Sequence, residues 1–332
     1  MDFVTYLLAD LRASLGEFTM FGTRFSWLFL ASAMVMAMVY YRPDTSTRWS
    51  FKAAVAKVFD RDVFLHPSAL LDYRYAAANY VLRVLAFGLF LASGAEIASY
   101  TTHALDAVFG ATDPETARAG TVIAILTALL LVLALDFGLF FAHFLMHKIP
   151  LLWEFHKVHH SAEILTPLTV LRMHPVDMII NSWVVGICVG VVNGSYAYAY
   201  PNPADATWLV LSNLVVFAFY FFGYHLRHSH VWIMFPKGVR QVISSPALHL
   251  IHHSTDRRHW DKNFGRIFIL WDRLVGAAYI PQEREEISFG IGTEEDGQYN
   301  SVYRLYMLPF QKAARLIGQK FARQDERPIA GE

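Results

Sequence analysis

With one cysteine in 332 residues, the chain cannot form an internal disulfide framework. Cys188, set in an apolar stretch, is equally unable to build a thiolate zinc or iron–sulfur site alone, and reads as a small buried hydrophobe. Basic excess is missing as well. Lys plus Arg and Asp plus Glu stand at 28 each, which removes the positive surplus expected of a nucleic-acid partner. Charge of either sign is scarce at 17%, against 55% hydrophobic residues, a greasier balance than soluble proteins carry. A cleavable leader is not expected, because Asp2, Asp10, Arg12 and Glu17 interrupt the positions where a basic start and an apolar run would be needed. No G-x-G-x-x-G after a strand and no C-x-x-C-H haem attachment occur.

What is present is apolar length. Crossing the hydrocarbon takes about twenty mainly apolar residues in a helix. Five stretches come near that: 25–41, 76–99, 120–142, 176–198 and 206–224, the first and last being short. Basic residues orient them. Arg42, Arg48, Lys52, Lys57, Arg61 and Arg74 lie between the first two spans, whereas only Arg118 lies between the second and third. Lys148, Lys157 and Arg172 follow the third span, and fifteen Lys or Arg follow residue 224. The expectation is an all-α, multi-pass membrane bundle with its N-terminus outside and segment 147–175 and the C-terminal hundred residues in the cytoplasm. Three regions follow: 1–129 with N-terminal spans and a cytosolic loop, 130–280 as a histidine-rich catalytic domain with a cytosolic cap, and 281–332 as a cytosolic tail.

Histidine is the other abundance. Thirteen of fifteen lie between His143 and His259. A helix repeats every 3.6 residues, so positions i, i+3 and i+4 share a face. HFLMH at 143–147 gives one i, i+4 pair, while HKVHH at 156–160 and HLIHH at 249–253 each give i, i+3, i+4. Three imidazoles on one turn can converge on one or two ions, and imidazole suits zinc, iron, copper or nickel. Eight or more such ligands exceed the four of one tetrahedral zinc, so the count favours two metals. Spacing does not select one face for His225, His228 and His230, and at least one of them is expected outside the ligand set. His66 and His103, which are isolated, stay out of the site. Asp136 falls on the face of His143 and His147; it either orients a ligand imidazole or pairs with Arg83 inside the bundle. Arg83 and Glu96 read as structural.

HFLMH, HKVHH with Ser161, and HLIHH with Ser254 resemble the histidine boxes of the fatty acid hydroxylase and sterol desaturase superfamily. Asp136 to His147 is similar to that family's D-x-x-x-aromatic-x-x-H-x-x-x-H, and LRMHP at 171–175 to its R-x-H-P. LRHSHVW at 226–232 and DKNFGRIFILWDRLVG at 261–276 also resemble it, so the likeness covers roughly residues 130–280. It implies a helical membrane bundle with a cytosolic cap, two iron ions (zinc being a possible substitute) held by eight to ten histidines, and oxygen-dependent C–H oxidation of a membrane lipid. His143, His147, His156, His159, His160, His249, His252 and His253 match family ligand positions, and His228 is the best match of the third box. There H-x-x-H-x-H departs from the H-x-x-x-H of some members, which leaves His225 and His230 open. Lacking a nucleotide motif, haem or cysteines, the chain must receive electrons from a separate protein.

Asp261 and Asn263 have side chains suited to fixing ligand tautomers, or else to turn chemistry at a helix boundary. Arg172 and His174 are candidates to line the site. Hydroxylation and desaturation begin with the same hydrogen abstraction; bacterial chains with LRHSHVW lean the resemblance towards hydroxylation and towards a bacterial inner membrane, with the site facing the cytoplasm. Two rivals are a zinc hydrolase and a metal transporter, the latter disfavoured because its ligands belong near the bilayer midplane. After residue 280, Arg304, Leu305, Leu308, Phe310, Ala313, Leu316 and Ile317 read as an amphipathic helix at or spanning Pro309, either on the membrane surface or packed on the cap.

Overall fold

The computed structural model describes residues 27–40, 50–85, 94–113, 119–201, 207–292, 294–295 and 297–325. Residues 1–20 (with the charged residues that argue against a leader), Arg42, Arg48, Arg118, residues 86–93 of the second predicted span, and the side chain of Arg83 lie outside the described residues. Among those described, the architecture is helical, with two isolated β-bridges and no strands.

Among the described residues, two helices are long and apolar enough to cross a bilayer: α6 (Thr121–Lys148) and α8 (Pro175–Ala199). To keep the order, α1 is Trp27–Tyr40, α2 Phe51–Val58, α3 Arg61–Phe64, α4 Pro67–Leu85, α5 Gly94–Phe109, α7 Pro150–His160, α9 Thr207–Phe221, α10 Pro246–His252, α11 Leu270–Leu274 and α12 Val302–Asp325. Of these, α1 and α9 are apolar and, over their described residues, shorter than a span. Of the second predicted span, residues 76–85 lie in α4 and 94–99 in α5. A hydropathy average over 76–99 cannot see that α4 starts at Pro67, where proline suits the first helical turn.

Helices α5 and α6 pack along α8. Close approach of α5 to α8 depends on the small residues Gly190 and Gly194, one helical turn apart. A Cβ at Gly190 would lie 2.5 Å from Ile97 Cβ, and one at Gly194 2.4 Å from the Ala98 carbonyl oxygen. The outward faces stay apolar, with Leu126, Leu129 and Leu130 of α6 and Trp183, Ile187 and Val191 of α8 exposed. A contiguous apolar surface of this kind is what acyl chains cover.

At Ile149 the chain breaks between α6 and α7, with Pro150 opening α7. That corner carries the histidines of α6 onto those of α7. Arg172, buried to 1% exposure, ties the surrounding elements together. Its guanidinium donates to Val158 O (2.9 Å), Ser161 Oγ (2.8 Å) and Asp72 Oδ1 (2.8 Å). Asp72 in turn accepts from Thr169 Oγ1 at 2.6 Å, linking α4 to the short turn Pro167–Leu171. Arg172 is thus a framework residue rather than a lining one.

Candidate metal centre

Nine histidines meet in two groups: His143, His147, His156, His160 and His252 in one, and His159, His228, His249 and His253 in the other. Within each group the candidate ligand nitrogens all lie within 4.8 Å of one another. Each HxxHH segment is divided between the groups. In α7, His156 and His160 share one face of the turn and serve the first group, and His159 serves the second; in α10 and its cap, His252 joins the first while His249 and His253 join the second.

In the five-histidine group the rings are held from behind. His143 Nδ1 donates to Phe264 O at 3.0 Å, and His252 Nδ1 to Lys262 O at 2.7 Å. His156 Nδ1 donates to Asp177 Oδ2 at 2.6 Å. Each bond fixes the tautomer that leaves Nε2 unprotonated and facing inwards. The Nε2 atoms of His143, His147, His156, His160 and His252 are all buried without a hydrogen-bond partner. Five inward-facing orphaned nitrogens would be costly in a metal-free core, and a bound cation satisfies all of them. The donor set therefore fits a metal ion.

In the four-histidine group the Nε2 atoms approach each other: His159 to His228 at 3.1 Å, His228 to His249 at 2.9 Å and His249 to His253 at 3.2 Å. Nitrogens sharing one ion at imidazole distances stand roughly 3.0–3.4 Å apart, so this spacing is that of a coordination shell. Behind it, His159 Nδ1 faces Arg172 O at 3.3 Å, and Arg227 donates to Gly265 O at 3.0 Å and lies 3.1 Å from His249 Nδ1. Burial holds His159 and His252 down to about 3, and His160, His228, His249 and His253 well below the ordinary value of 6.5. Neighbouring imidazoles push the same way, so these six are neutral near pH 7, the state in which an imidazole can bind metal.

The remaining candidates take other positions. His225 is buried against Phe29, Tyr220 and Tyr224, and His230 Nε2 donates to Lys57 O at 2.8 Å; neither joins a group. His174 caps α8, its Nδ1 accepting from Val176 N and its Nε2 donating to Tyr306 O at 3.1 Å. Asp136 accepts from Ile267 N, Phe268 N and Trp271 Nε1. With Asp272, which accepts from Phe264 N and Gly265 N, it fastens the segment carrying the carbonyl that holds His143. Asn263 bonds Leu248 O and both backbone polar groups of Tyr279, and Asp261 accepts from Lys148 Nζ at 2.6 Å while lying 3.7 Å from His147 Nδ1. Both sit at positive φ, 57° and 58°, where a two-sided turn presents the Lys262 carbonyl between them to His252. Tautomer control here comes from backbone carbonyls, with Asp261 and Asn263 shaping the turn.

Asp177 was missed by sequence reasoning, although a carboxylate in the first turn of an apolar helix is a recognisable signal. Two openings reach the site. A slot of about 40 Å3 touches both groups through His143, His156, His159, His228 and His249, with Leu139, Val170, Met173 and Phe264 among its walls. A cavity of about 510 Å3 reaches only the first group, through His147, His160 and His252.

Residues 128–277 match the model of the fatty acid hydroxylase family. The matched segment is similar to that family over somewhat under half of the chain. The match begins in α6 and ends just after α11, enclosing every histidine of both groups. The same segment also has curated relatives. Alkylglycerol monooxygenase of Homo sapiens is 26% identical over 160 residues, covering 48% of this chain and 32% of the relative. Ornithine lipid hydroxylase OlsE of Rhizobium tropici is 30% identical over 156 residues, covering 47% and 43% respectively. Delta(7)-sterol 5(6)-desaturase of Eremothecium gossypii is 27% identical over 161 residues, covering 47% and 38%. The chain thus spans between a third and somewhat under a half of the length of these relatives. No solved structure matches it.

Proposed function

We propose that the chain is a membrane-bound di-iron oxygenase that hydroxylates an aliphatic position of a lipid with O2 and electrons from a separate protein. The observation that carries this reading is the pair of buried imidazole groups, five and four strong, with their Nε2 atoms turned inwards. Iron bound there would supply redox chemistry with O2 that the protein's own side chains lack. The chain's part is to position and to exclude. His156 is aimed by Asp177, His143 by Phe264 O and His252 by Lys262 O. Leu139, Val170, Met173 and Phe264 give the slot between the groups one apolar side, the side on which an alkyl group would approach the histidines. The exposed apolar faces of α6 and α8 support delivery of such a chain from a bilayer, with the histidine-bearing end of α6 at the cytoplasmic surface.

The relatives support a lipid substrate, two by names that specify oxygenation of an alkylglycerol and an ornithine lipid. Desaturation is the second reading, because sterol desaturases stand among the same relatives. Turnover of membrane lipid extract under 18O2 with a supplied reductant separates them. Hydroxylation gives a product carrying one labelled oxygen; an unlabelled product lighter by two hydrogens gives desaturation; turnover that persists without oxygen overturns the oxygenase reading and favours a zinc hydrolase.

A further inference from the structure

The last helix has two apolar faces. One packs inwards: Leu305 and Ala313 are buried, and Tyr306 donates to Asn79 Oδ1 at 2.7 Å and stacks against Tyr75 of α4. The other consists of Tyr303, Met307, Phe310, Ala314, Ile317 and Phe321, whose spacing of four and three residues places them on a single stripe. That stripe is open, with Tyr303 68%, Phe310 48%, Ile317 46% and Phe321 63% exposed. It runs about 27 Å along the helix. We propose that α12 lies on the bilayer surface with this stripe set into the boundary between headgroups and acyl chains of an anionic leaflet.

The occupant is argued from continuity and charge. Phe310 packs on His174 and Phe155, with ring centroids 5.2 Å and 5.1 Å away, and the Tyr306 carbonyl accepts from His174 Nε2. His174 is the cap of α8, so the middle of the stripe, at Phe310, meets the start of a candidate membrane span. Arg304, Arg315 and Lys320 are exposed around the same helix, the arrangement that draws an amphipathic helix to acidic lipid. The inference rests on the bilayer placement of α6 and α8 within the proposed function.

Quenching by brominated lipid tests it. In a Cys188→Ala background, Ile317→Cys, Phe321→Cys, Gln319→Cys and Leu129→Cys each carry a bimane fluorophore, in nanodiscs of phosphatidylglycerol and phosphatidylcholine brominated along the acyl chains. Retention of the parent protein's metal content certifies each variant as folded. Labels at 317, 321 and 129 should lose most of their emission and the label at 319 should keep it, with weaker quenching at 317 in phosphatidylcholine alone. Emission surviving at 317 and 321 while 129 is quenched overturns the inference and leaves the placement of α6 standing; no quenching at 129 overturns both. Equal quenching at 317 in phosphatidylcholine alone removes the anionic preference. Shielding that appears only as protein concentration rises would give the stripe to a second copy and overturn the lipid assignment.

Discussion

The two histidine groups share donor chemistry and burial but differ in how their rings are held. In the group of five, His143, His156 and His252 each have Nδ1 fixed by an acceptor at 3.0 Å or less, and all five Nε2 atoms are spaced apart without partners. In the group of four, the firmest rear contact is a guanidinium rather than a carbonyl or carboxylate, and the Nε2 atoms have closed to within 2.9–3.2 Å of one another. The difference lies in the elements. The first group hangs mainly on α6 and α7, whereas the second draws His228 from an irregular turn and His249 and His253 from the seven-residue α10 and its cap. Preorganisation therefore belongs more to the first site than to the second.

The largest expected effect comes from removing ligands one group at a time. His252→Ala should empty the first site and His228→Ala the second, each leaving about one metal per chain by elemental analysis and each abolishing lipid turnover. Equal loss of both metals from either variant would break the comparison. Next comes the shared frame. Asp72→Ala strands the buried Arg172 guanidinium, and breaking a buried pair this way costs about 3–5 kcal/mol. It should lower the thermal unfolding midpoint sharply and release metal from both groups together.

A finer contrast uses Asp177→Asn, which keeps shape but weakens the hold on His156. Loss of such a supporting partner costs roughly 10–100-fold in metal affinity or activity. That loss should fall on the first site, read as competition for one of two metals by a graded chelator, with Asp177→Glu closer to the parent. Acid offers a test in which the groups should agree. His159 and His252 sit at about 3 when folded, against 6.5 ordinarily. Between those values the unfolded chain binds more protons than the folded one, so metal-free protein should lose stability as pH falls from 6.5 towards 3 and show little dependence on these groups above 6.5. Denaturant titrations at stepped pH check the sign. The smallest effect belongs to His66→Ala and His103→Ala, which lie outside both groups and should leave metal content and turnover unchanged.

The histidine boxes were legible in the chain because i, i+3, i+4 spacing is a helical signature that survives without any knowledge of packing. The division of labour within HKVHH was not legible, because i, i+3 and i+4 share a face and only the packing of α10 sets His159 with the second group. What holds the rings was far less visible. Backbone carbonyls of Lys262, Phe264 and Arg172 do that work, and a carbonyl has no letter in a sequence. Asp136 was legible as a buried carboxylate but not as an anchor for amides more than 130 residues away. Asp177 carried a legible signal, a carboxylate in the first turn of an apolar helix, beside the R-x-H-P. The second span shows the same limit on the fold side: apolar content marked the region, but the start at Pro67 depends on the contacts α4 makes with the Pro167–Leu171 turn and with α12.

Two metals per chain, one for each histidine group, is the claim on which the rest stands. Elemental analysis of protein loaded with iron under anaerobic conditions, paired with turnover of the same sample, tests it most directly. About two irons per active chain, falling to about one in His252→Ala and in His228→Ala, is the predicted result; full turnover with a single iron bound would contradict it.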